Sequence, residues 1–248
     1  MMKLSASLVG FLLSTTALAV TAAQAQQASA PLPTSWTGPY VGVHAGYGWG
    51  SETDNLSESY PTLGDKFDIS GFLGGIHAGY NLQTNQWVFG VEADIDVSGL
   101  KGSFTGIEPF AGDFQKTVLD FRNTWQSSLR FRLGVAIDNI LLYTTAGIAF
   151  ADAELDQSGI RCDGVFIDGE CDSSAVPFGA TDSNILTGWT VGAGTEVALD
   201  SNWSARLEVR YTDFADKTFN LVNPFNNPVE VDASFDETVV TVGLSYRF

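Results

Sequence analysis

Apolar and polar residues alternate along residues 125–135, which read WQSSLRFRLGV. Leu129, Phe131 and Leu133 share one face of an extended chain, while Arg130 and Arg132 share the other, because successive side chains of a strand point to opposite faces. The same two-residue period recurs in eight segments, at about 38–49, 70–82, 87–98, 123–137, 140–151, 184–199, 203–214 and 237–248. Each segment is long enough to cross a bilayer as a tilted strand, which takes about 9–11 residues.

The connections between these segments alternate between short and long. Three are tight turns, at 83–86, 138–139 and 200–202, and four are long, acidic and rich in Gly, Asn, Asp and Pro, near 50–69, 99–122, 152–183 and 215–236. Short turns on one side and long loops on the other are typical of outer-membrane barrels. The pattern predicts an all-β fold, namely an eight-stranded antiparallel up-and-down transmembrane β-barrel.

The apolar face of most segments carries aromatic residues near its ends. Trp87, Trp203, Tyr80 and Tyr246 lie beside the short turns or the C-terminus, and Trp49 and Tyr211 lie near the long loops. Two aromatic girdles of this kind mark the two interfaces of a membrane barrel. We therefore expect the apolar faces to contact lipid and the charged faces to point inward. Segment 140–151 is apolar on both faces, so its orientation stays open.

An inward-pointing polar face places charges of both signs inside the barrel. The interior of eight strands is just wide enough for side chains to fill it, and buried charges must be paired. We therefore expect a plugged barrel held by an ion-pair network rather than a channel; a selectivity ring lining a narrow pore is the alternative. The predicted network consists of Glu92, Asp94, Asp96, Arg130, Arg132, Glu196, Arg206, Glu208, Arg210 and Arg247.

Composition excludes several other classes of protein. The net charge of -17 argues against a nucleic-acid partner, which requires a basic surface. The glycines between 71 and 79 and between 188 and 194 lie in strands and form no phosphate loop, and the acidic loops match no EF-hand spacing. The sequence therefore indicates no cofactor and no metal site.

The two histidines of the chain, His44 and His77, both fall on inward faces among glycines. A structural role is favoured, with the rings bonded to one another or to an interior carboxylate, and ligation of haem iron is the alternative. An enzymatic barrel would need a nucleophile and a base at the outer rim. We therefore expect no enzymatic activity.

Residues 1–25 have the features of a secretory signal peptide. Lys3 precedes a short apolar run at Leu8–Leu13, and Ala23-Gln24-Ala25 forms a cleavage site; an uncleaved membrane helix is the alternative. Residues 26–37 are then a short periplasmic segment, and 38–248 form the barrel.

In an exported protein, Cys162 and Cys171 are expected to form a disulfide across a short loop. A pair of metal ligands is the alternative, but the sequence offers no nearby histidine and no second cysteine pair to complete such a site.

Three stretches resemble a known family. WTGPYVGVHAGYGWG at 36–50 and GFLGGIHAGYN at 71–81 resemble the first two strands of alphaproteobacterial outer-membrane proteins of the porin-like surface-antigen family, whose wider relatives are the OmpA- and OmpX-like barrels. VTVGLSYRF at 240–248 resembles the C-terminal signal of such barrels, with Tyr246 and Phe248 as the residues that the barrel-assembly machinery reads.

This resemblance implies a location in the outer membrane and a structural or antigenic role. It also implies outer-membrane lipids, lipopolysaccharide and the assembly machinery as partners, while the oligomeric state is not set by the sequence. We therefore expect a protein of envelope integrity and surface presentation. A narrow, low-conductance porin and a surface protein that binds haemin or a host ligand are the alternatives.

Overall fold

The computed structural model describes residues 35–54, 66–110, 113–162, 166–167, 170–171 and 175–248. The predicted signal peptide at 1–25 lies outside these residues. The described part of the chain contains no helix long and apolar enough to cross a membrane. Its strands are β1 (Gly38–Asp54), β2 (Lys66–Thr84), β3 (Trp87–Ser98), β4 (Lys101–Phe110), β5 (Asp113–Arg122), β6 (Trp125–Ile137), β7 (Ile140–Cys162), β8 (Phe166–Ile167), β9 (Glu170–Cys171), β10 (Ala175–Ala198), β11 (Trp203–Val222) and β12 (Pro228–Arg247).

Eight of these strands form a closed antiparallel ring in the order β1, β2, β3, β6, β7, β10, β11 and β12. β12 pairs with β1 from Arg247↔Tyr40 to Ala233↔Asp54 and so closes the ring. Closure leaves the ring without an unpaired edge strand. A β-sheet in a membrane requires this, because unpaired backbone groups are costly in lipid. The predicted up-and-down barrel is confirmed.

Tight turns join the strands at one end of the ring. Asn85 and Asp138 adopt φ values of 55° and 53° in two of these turns, in the left-handed region that Asn and Asp tolerate best. The third turn, at 199–202, is closed by the Leu199 N–H, which donates to the Trp203 carbonyl at 2.8 Å. The turns therefore lie where the sequence predicted them.

Side-chain exposure is inverted relative to a soluble protein. Phe72, Val97 and Phe131 on the outside of the wall are 74–77% exposed, whereas Arg130 and Arg132 on the inside are 2% exposed. β7 obeys the same rule: Leu141 and the next odd-numbered residues point inward, and the even-numbered ones point outward. Apolar residues outside and charges inside are the arrangement of a transmembrane barrel.

The strands are longer than the sequence predicted. β7 continues to Cys162 and β10 begins at Ala175, although alternation placed these ends at 151 and 184. The predicted connection 99–122 contains the hairpin of β4 and β5, and β5 pairs with β7. Most of the connections 99–122, 152–183 and 215–236 was therefore wrongly taken for loop. About ten extra residues extend the wall by roughly 30 Å along a strand, on the side of the long connections.

Apolar side chains fill the inside of this extension. Their packing explains why its acidic segments form regular strands. Phe121 stacks on Phe235, with ring centroids 4.6 Å apart. A register shift between Phe214 and Lys217 turns Phe219 inward, and Phe219 is fully buried. We call this group the outer apolar cluster; it consists of Ile69, Leu73, Leu100, Phe121, Ala149, Ala151, Ala153, Leu155, Leu186, Phe214, Phe219, Ala233, Phe235 and Val239.

A second apolar layer closes the opposite end of the barrel, beside the short turns. Trp36 is completely buried there, although it belongs to the predicted periplasmic segment 26–37. Its backbone N–H donates to the Gln83 side chain at 2.7 Å. We call this layer the mouth cluster; it consists of Trp36, Val88, Leu141, Tyr143 and Ala198. Most of the buried charged residues, such as Glu92 and Arg130, lie between these two apolar layers.

Candidate functional site

The ten residues of the predicted network all point into the barrel and are at most 6% exposed. They come from β3, β6, β10, β11 and β12, on alternate positions of each strand. Seven of them are joined by ion pairs in one continuous group. Arg132 and Glu196 form a separate ion pair, which the Tyr40 hydroxyl links to Glu92, and Arg247 lies apart.

Four of these residues form a closed ring of ion pairs in the middle of the barrel. Arg130 donates to Glu92 at 2.7 Å and to Glu208 at 2.5 Å. Arg206 bonds the same two carboxylates, at 2.8 Å and 2.6 Å. Each guanidinium thus bridges both carboxylates, and we call these four residues the ion-pair ring. Charge-assisted hydrogen bonds of this kind are the strong ones, and here they cross the interior between opposite walls.

Two branches extend the ring toward the ends of the barrel. Arg210 donates to Asp94 at 2.9 Å and to Asp96 at 3.2 Å on the side of the outer apolar cluster. Arg132 pairs with Glu196 on the side of the mouth cluster. These branches carry the paired charges to the edge of each apolar layer.

Two tyrosines belong to the network and were missed from the sequence. Tyr40 donates to Glu92 at 2.7 Å, and Tyr143 donates to Glu208 at 3.0 Å. The Arg132 guanidinium also lies 3.8 Å from the centroid of the Tyr143 ring, which is a cation–π contact. The alternation of side chains could have identified Tyr40, which shares the even-numbered, inward face of β1 with His44. Tyr143 could not be identified, because it lies in segment 140–151, where both faces are apolar and the sequence does not show which face points inward.

Glycines on the inner wall make room for these long side chains. A Cβ on Gly79 would lie 2.4 Å from the Tyr40 hydroxyl, and one on Gly194 would lie 2.5 Å from the Tyr143 ring. The inward glycines are therefore gaps in the wall lining into which neighbouring side chains fit.

Arg247 takes a different position from the one that the sequence predicted. Its guanidinium lies 4.8 Å from the centroid of the Trp36 ring, and it donates to the Ser201 carbonyl at 3.3 Å. The expectation that it belongs to the ion-pair network is therefore wrong. Its contacts hold the mouth cluster against the turn at 199–202.

The two histidines contact each other and an interior carboxylate. Nδ1 of His44 lies 3.1 Å from Nδ1 of His77, and Nε2 of His44 lies 2.5 Å from Asp96. Nε2 of His77 lies 2.8 Å from the Ser245 hydroxyl. Every ring nitrogen therefore has a partner inside the wall, which does not favour the alternative of haem ligation.

Two carboxylates outside the membrane-spanning segments hold the backbone at the ends of the wall. The Trp203 and Asn202 N–H groups donate to Asp200 and lower the pKa of its carboxyl group. The Asn220 N–H donates to Asp182 at 2.7 Å and lowers the pKa of that carboxyl group as well. Both groups therefore stay ionised in mild acid.

The remaining predicted residues are the two cysteines and the C-terminal Tyr246 and Phe248, which lie at opposite ends of the barrel wall. Cys162 is disulfide-bonded, whereas the side chain of Cys171 lies outside the described residues, so their pairing stays a prediction. Phe248 is 70% exposed, and the Tyr246 ring packs edge-on against both Trp203 and Phe248 at 5.2 Å. The predicted assembly signal is thus part of an aromatic cluster at the end of the last strand, in which Phe248 is exposed and Tyr246 is half-buried.

Replacing Arg132 with Met is expected to lower the unfolding temperature by several degrees, because Glu196 loses its guanidinium partner inside the barrel. Ser204 still donates to Glu196 at 2.5 Å, so the loss should be smaller than at the ion-pair ring. Heat-dependent migration of the folded protein on denaturing gels measures the change. An unchanged transition would contradict a stabilising role for this pair.

A family model and several relatives of known location match this chain. The family model described as "Outer membrane protein beta-barrel domain" matches residues 14–248. The chain is 34% identical to the 31 kDa outer-membrane immunogenic protein of Brucella melitensis, over 89% of this chain and 87% of that protein. It is 31% identical to a 22 kDa outer membrane protein of Rhizobium leguminosarum, over 90% and 83%. The crystal structure of OprG from Pseudomonas aeruginosa shares 13% identity over 86% of this chain and 96% of that one, with a TM-score of 0.48.

Proposed function

We propose that this chain, which belongs to the outer membrane protein β-barrel family, is a structural protein of the outer membrane whose barrel is closed to solutes. Its location in the outer membrane follows from the family and from its relatives. The proposal concerns what the barrel does there: it stabilises the envelope and presents its long hairpins at the cell surface. This role requires no substrate and no catalytic group.

The filled interior carries the proposal. The ion-pair ring bridges opposite walls at the middle of the barrel, and its carboxylates are 1–3% exposed. The outer apolar cluster and the mouth cluster lie on either side of it. An ion crossing such a barrel would have to break paired charges and pass two mainly apolar layers, which is costly.

The outside of the wall supports lipids as the main partner. The exposed apolar belt runs between Trp87 and Trp203 at the short-turn end and Trp49 and Trp189 toward the long hairpins, all 45–50% exposed. Tryptophan at both interfaces anchors a barrel at headgroup depth. In the outer membrane the partners on the surface side would include lipopolysaccharide.

The extension of the wall supports surface presentation. β7, β10, β11 and β12 are 20–24 residues long, about twice what a bilayer needs. Their outer ends would stand clear of the membrane and hold the connecting loops on a rigid support, where recognition by other molecules takes place. Relatives of the chain are named as immunogenic proteins, and this is consistent with an antigenic role.

The aromatic cluster of Trp203, Tyr246 and Phe248 supports recognition by the barrel-assembly machinery. A terminal aromatic side chain that is 70% exposed is available to a receptor before the barrel enters the membrane. We infer that Tyr246 and Phe248 serve this assembly step rather than the finished barrel.

Conductance in planar lipid bilayers tests whether the barrel is closed. The folded protein is expected to insert without discrete current steps at neutral pH, while an open porin purified in the same detergent gives steps in the same bilayers. Insertion is verified separately by protease protection of the membrane-spanning part. Reproducible small steps from the inserted protein would overturn the proposal and favour the narrow porin instead.

A further inference from the structure

The histidine pair lies across the seam at which the barrel closes, where β1 pairs with β12. His44 comes from β1 and His77 from β2, and their partners Asp96 and Ser245 come from β3 and β12. One chain of hydrogen bonds thus connects four neighbouring strands in the order Ser245, His77, His44, Asp96. The contact between the two Nδ1 atoms is its central link.

Each histidine reaches its partner by crossing a strand above a glycine. His77, Gly42 and Ser245 lie in one row of paired residues, and His44, Gly75 and Asp96 lie in another. A Cβ on Gly42 would lie 2.3 Å from the His77 ring, and one on Gly75 would lie 2.2 Å from the Asp96 carboxylate. The two glycines therefore leave the space in which the chain of hydrogen bonds runs.

The central link limits how many protons the pair can hold. A hydrogen bond between two Nδ1 atoms needs a hydrogen on one of them and a lone pair on the other. With both rings neutral, Ser245 donates to His77, His77 donates to His44, and His44 donates to Asp96. One added proton reverses the central link and leaves it intact, with the charge on His44 beside Asp96. A second proton places hydrogens on both Nδ1 atoms and breaks the link.

The surrounding charges do not relieve this conflict. Asp96 balances one positive charge, but Arg206 and Arg210 face the site with two charges of their own. The titratable and charged groups that face the pair or its partner Asp96 are Tyr40 on β1, Glu92, Asp94 and Asp96 on β3, Glu196 on β10, Arg206 and Arg210 on β11, and Glu237 on β12.

We propose that His44 and His77 form an acid-sensitive latch that holds the closure seam. The latch is closed while the pair carries no proton or one proton, and it opens when the second proton enters. The folded barrel thus accommodates one proton on the pair, whereas two separate histidines in the unfolded chain take up two. By linkage, stability is lost as the pH falls below about 6.5, where free histidine titrates.

The pH dependence of unfolding tests the latch against the variant His77→Gln. Glutamine fills much of the same space and forms hydrogen bonds but does not titrate. Between pH 7.5 and pH 5 the midpoint of thermal unfolding is expected to fall by about 4–8 °C more in the natural protein than in the variant. The comparison cancels the titration of Glu237 and of the ion-pair network, which both proteins retain. An equal fall in the two proteins would overturn the latch.

Nitrogen NMR of the unmodified protein gives a second test, which does not depend on whether the variant folds. Labelling with 15N-histidine reports only His44 and His77, because the chain has two histidines. The two rings are expected to take up protons in two steps separated by at least about one pH unit, as coupled groups do. Rings that titrate together and independently would overturn the latch, whether or not the barrel conducts.

Discussion

The variant Glu92→Gln is expected to lose about 3–5 kcal/mol of the free energy of unfolding. Glu92 accepts hydrogen bonds from Arg130, Arg206 and Tyr40, and it is 1% exposed. The amide is nearly the same size but carries no charge. It also presents an NH₂ group where a guanidinium or a hydroxyl donates now. Two arginines in a closed interior then share one carboxylate of the ring, Glu208.

Urea unfolding of the barrel in lipid vesicles measures this loss, and Glu230→Gln is the matched control. Glu230 also lies in a strand of the ring but is exposed outside the wall, so its replacement should change stability by less than about 0.5 kcal/mol. Equal effects at the two positions would mean that the network contributes no more than a surface carboxylate does.

Glu92 also illustrates which part of the site the sequence could predict. Alternation alone places Glu92 and Arg130 on inward faces, because the side-chain period of a strand is two. Their pairing across β3 and β6 follows from the register of neighbouring strands. The bond from Arg206 to Glu92 does not follow from any strand pairing, since it crosses the interior from β11 to β3. Such partners depend on barrel diameter and rotamers, which no linear pattern encodes.

Segments 152–162 and 175–183 were mistaken for loops for a different reason. Their outward residues are mostly acidic or small, and their inward ones include Ala153 and Gln157, so the apolar alternation is weak there. What keeps them extended is pairing with each other and packing of Leu155 and Phe178 inside the wall. That support comes from distant parts of the chain and has no local signature. The sequence therefore predicts a strand only over the part that faces lipid, because only there are the outward residues regularly apolar.

Trp36 shows the same limit at the other end of the barrel. This tryptophan, just before the first strand, falls in the predicted periplasmic segment. The structure instead buries it completely inside the mouth cluster, under the guanidinium of Arg247. It packs there with Val88, Leu141 and Ala198, which come from three different strands, so no local pattern indicates its position.

The variant Trp36→Ala is accordingly expected to destabilise the barrel by about 3–5 kcal/mol, the range for a large aromatic side chain removed from a core. Trp87→Ala is the control, because Trp87 belongs to the same end of the barrel but is 46% exposed on the lipid side. The same urea titration measures both variants. If the mouth cluster closes the barrel, Trp36→Ala should lose more stability than Trp87→Ala. A smaller loss at Trp36 would mean that the barrel holds its shape without this layer, and that the residues before β1 only rest against its end.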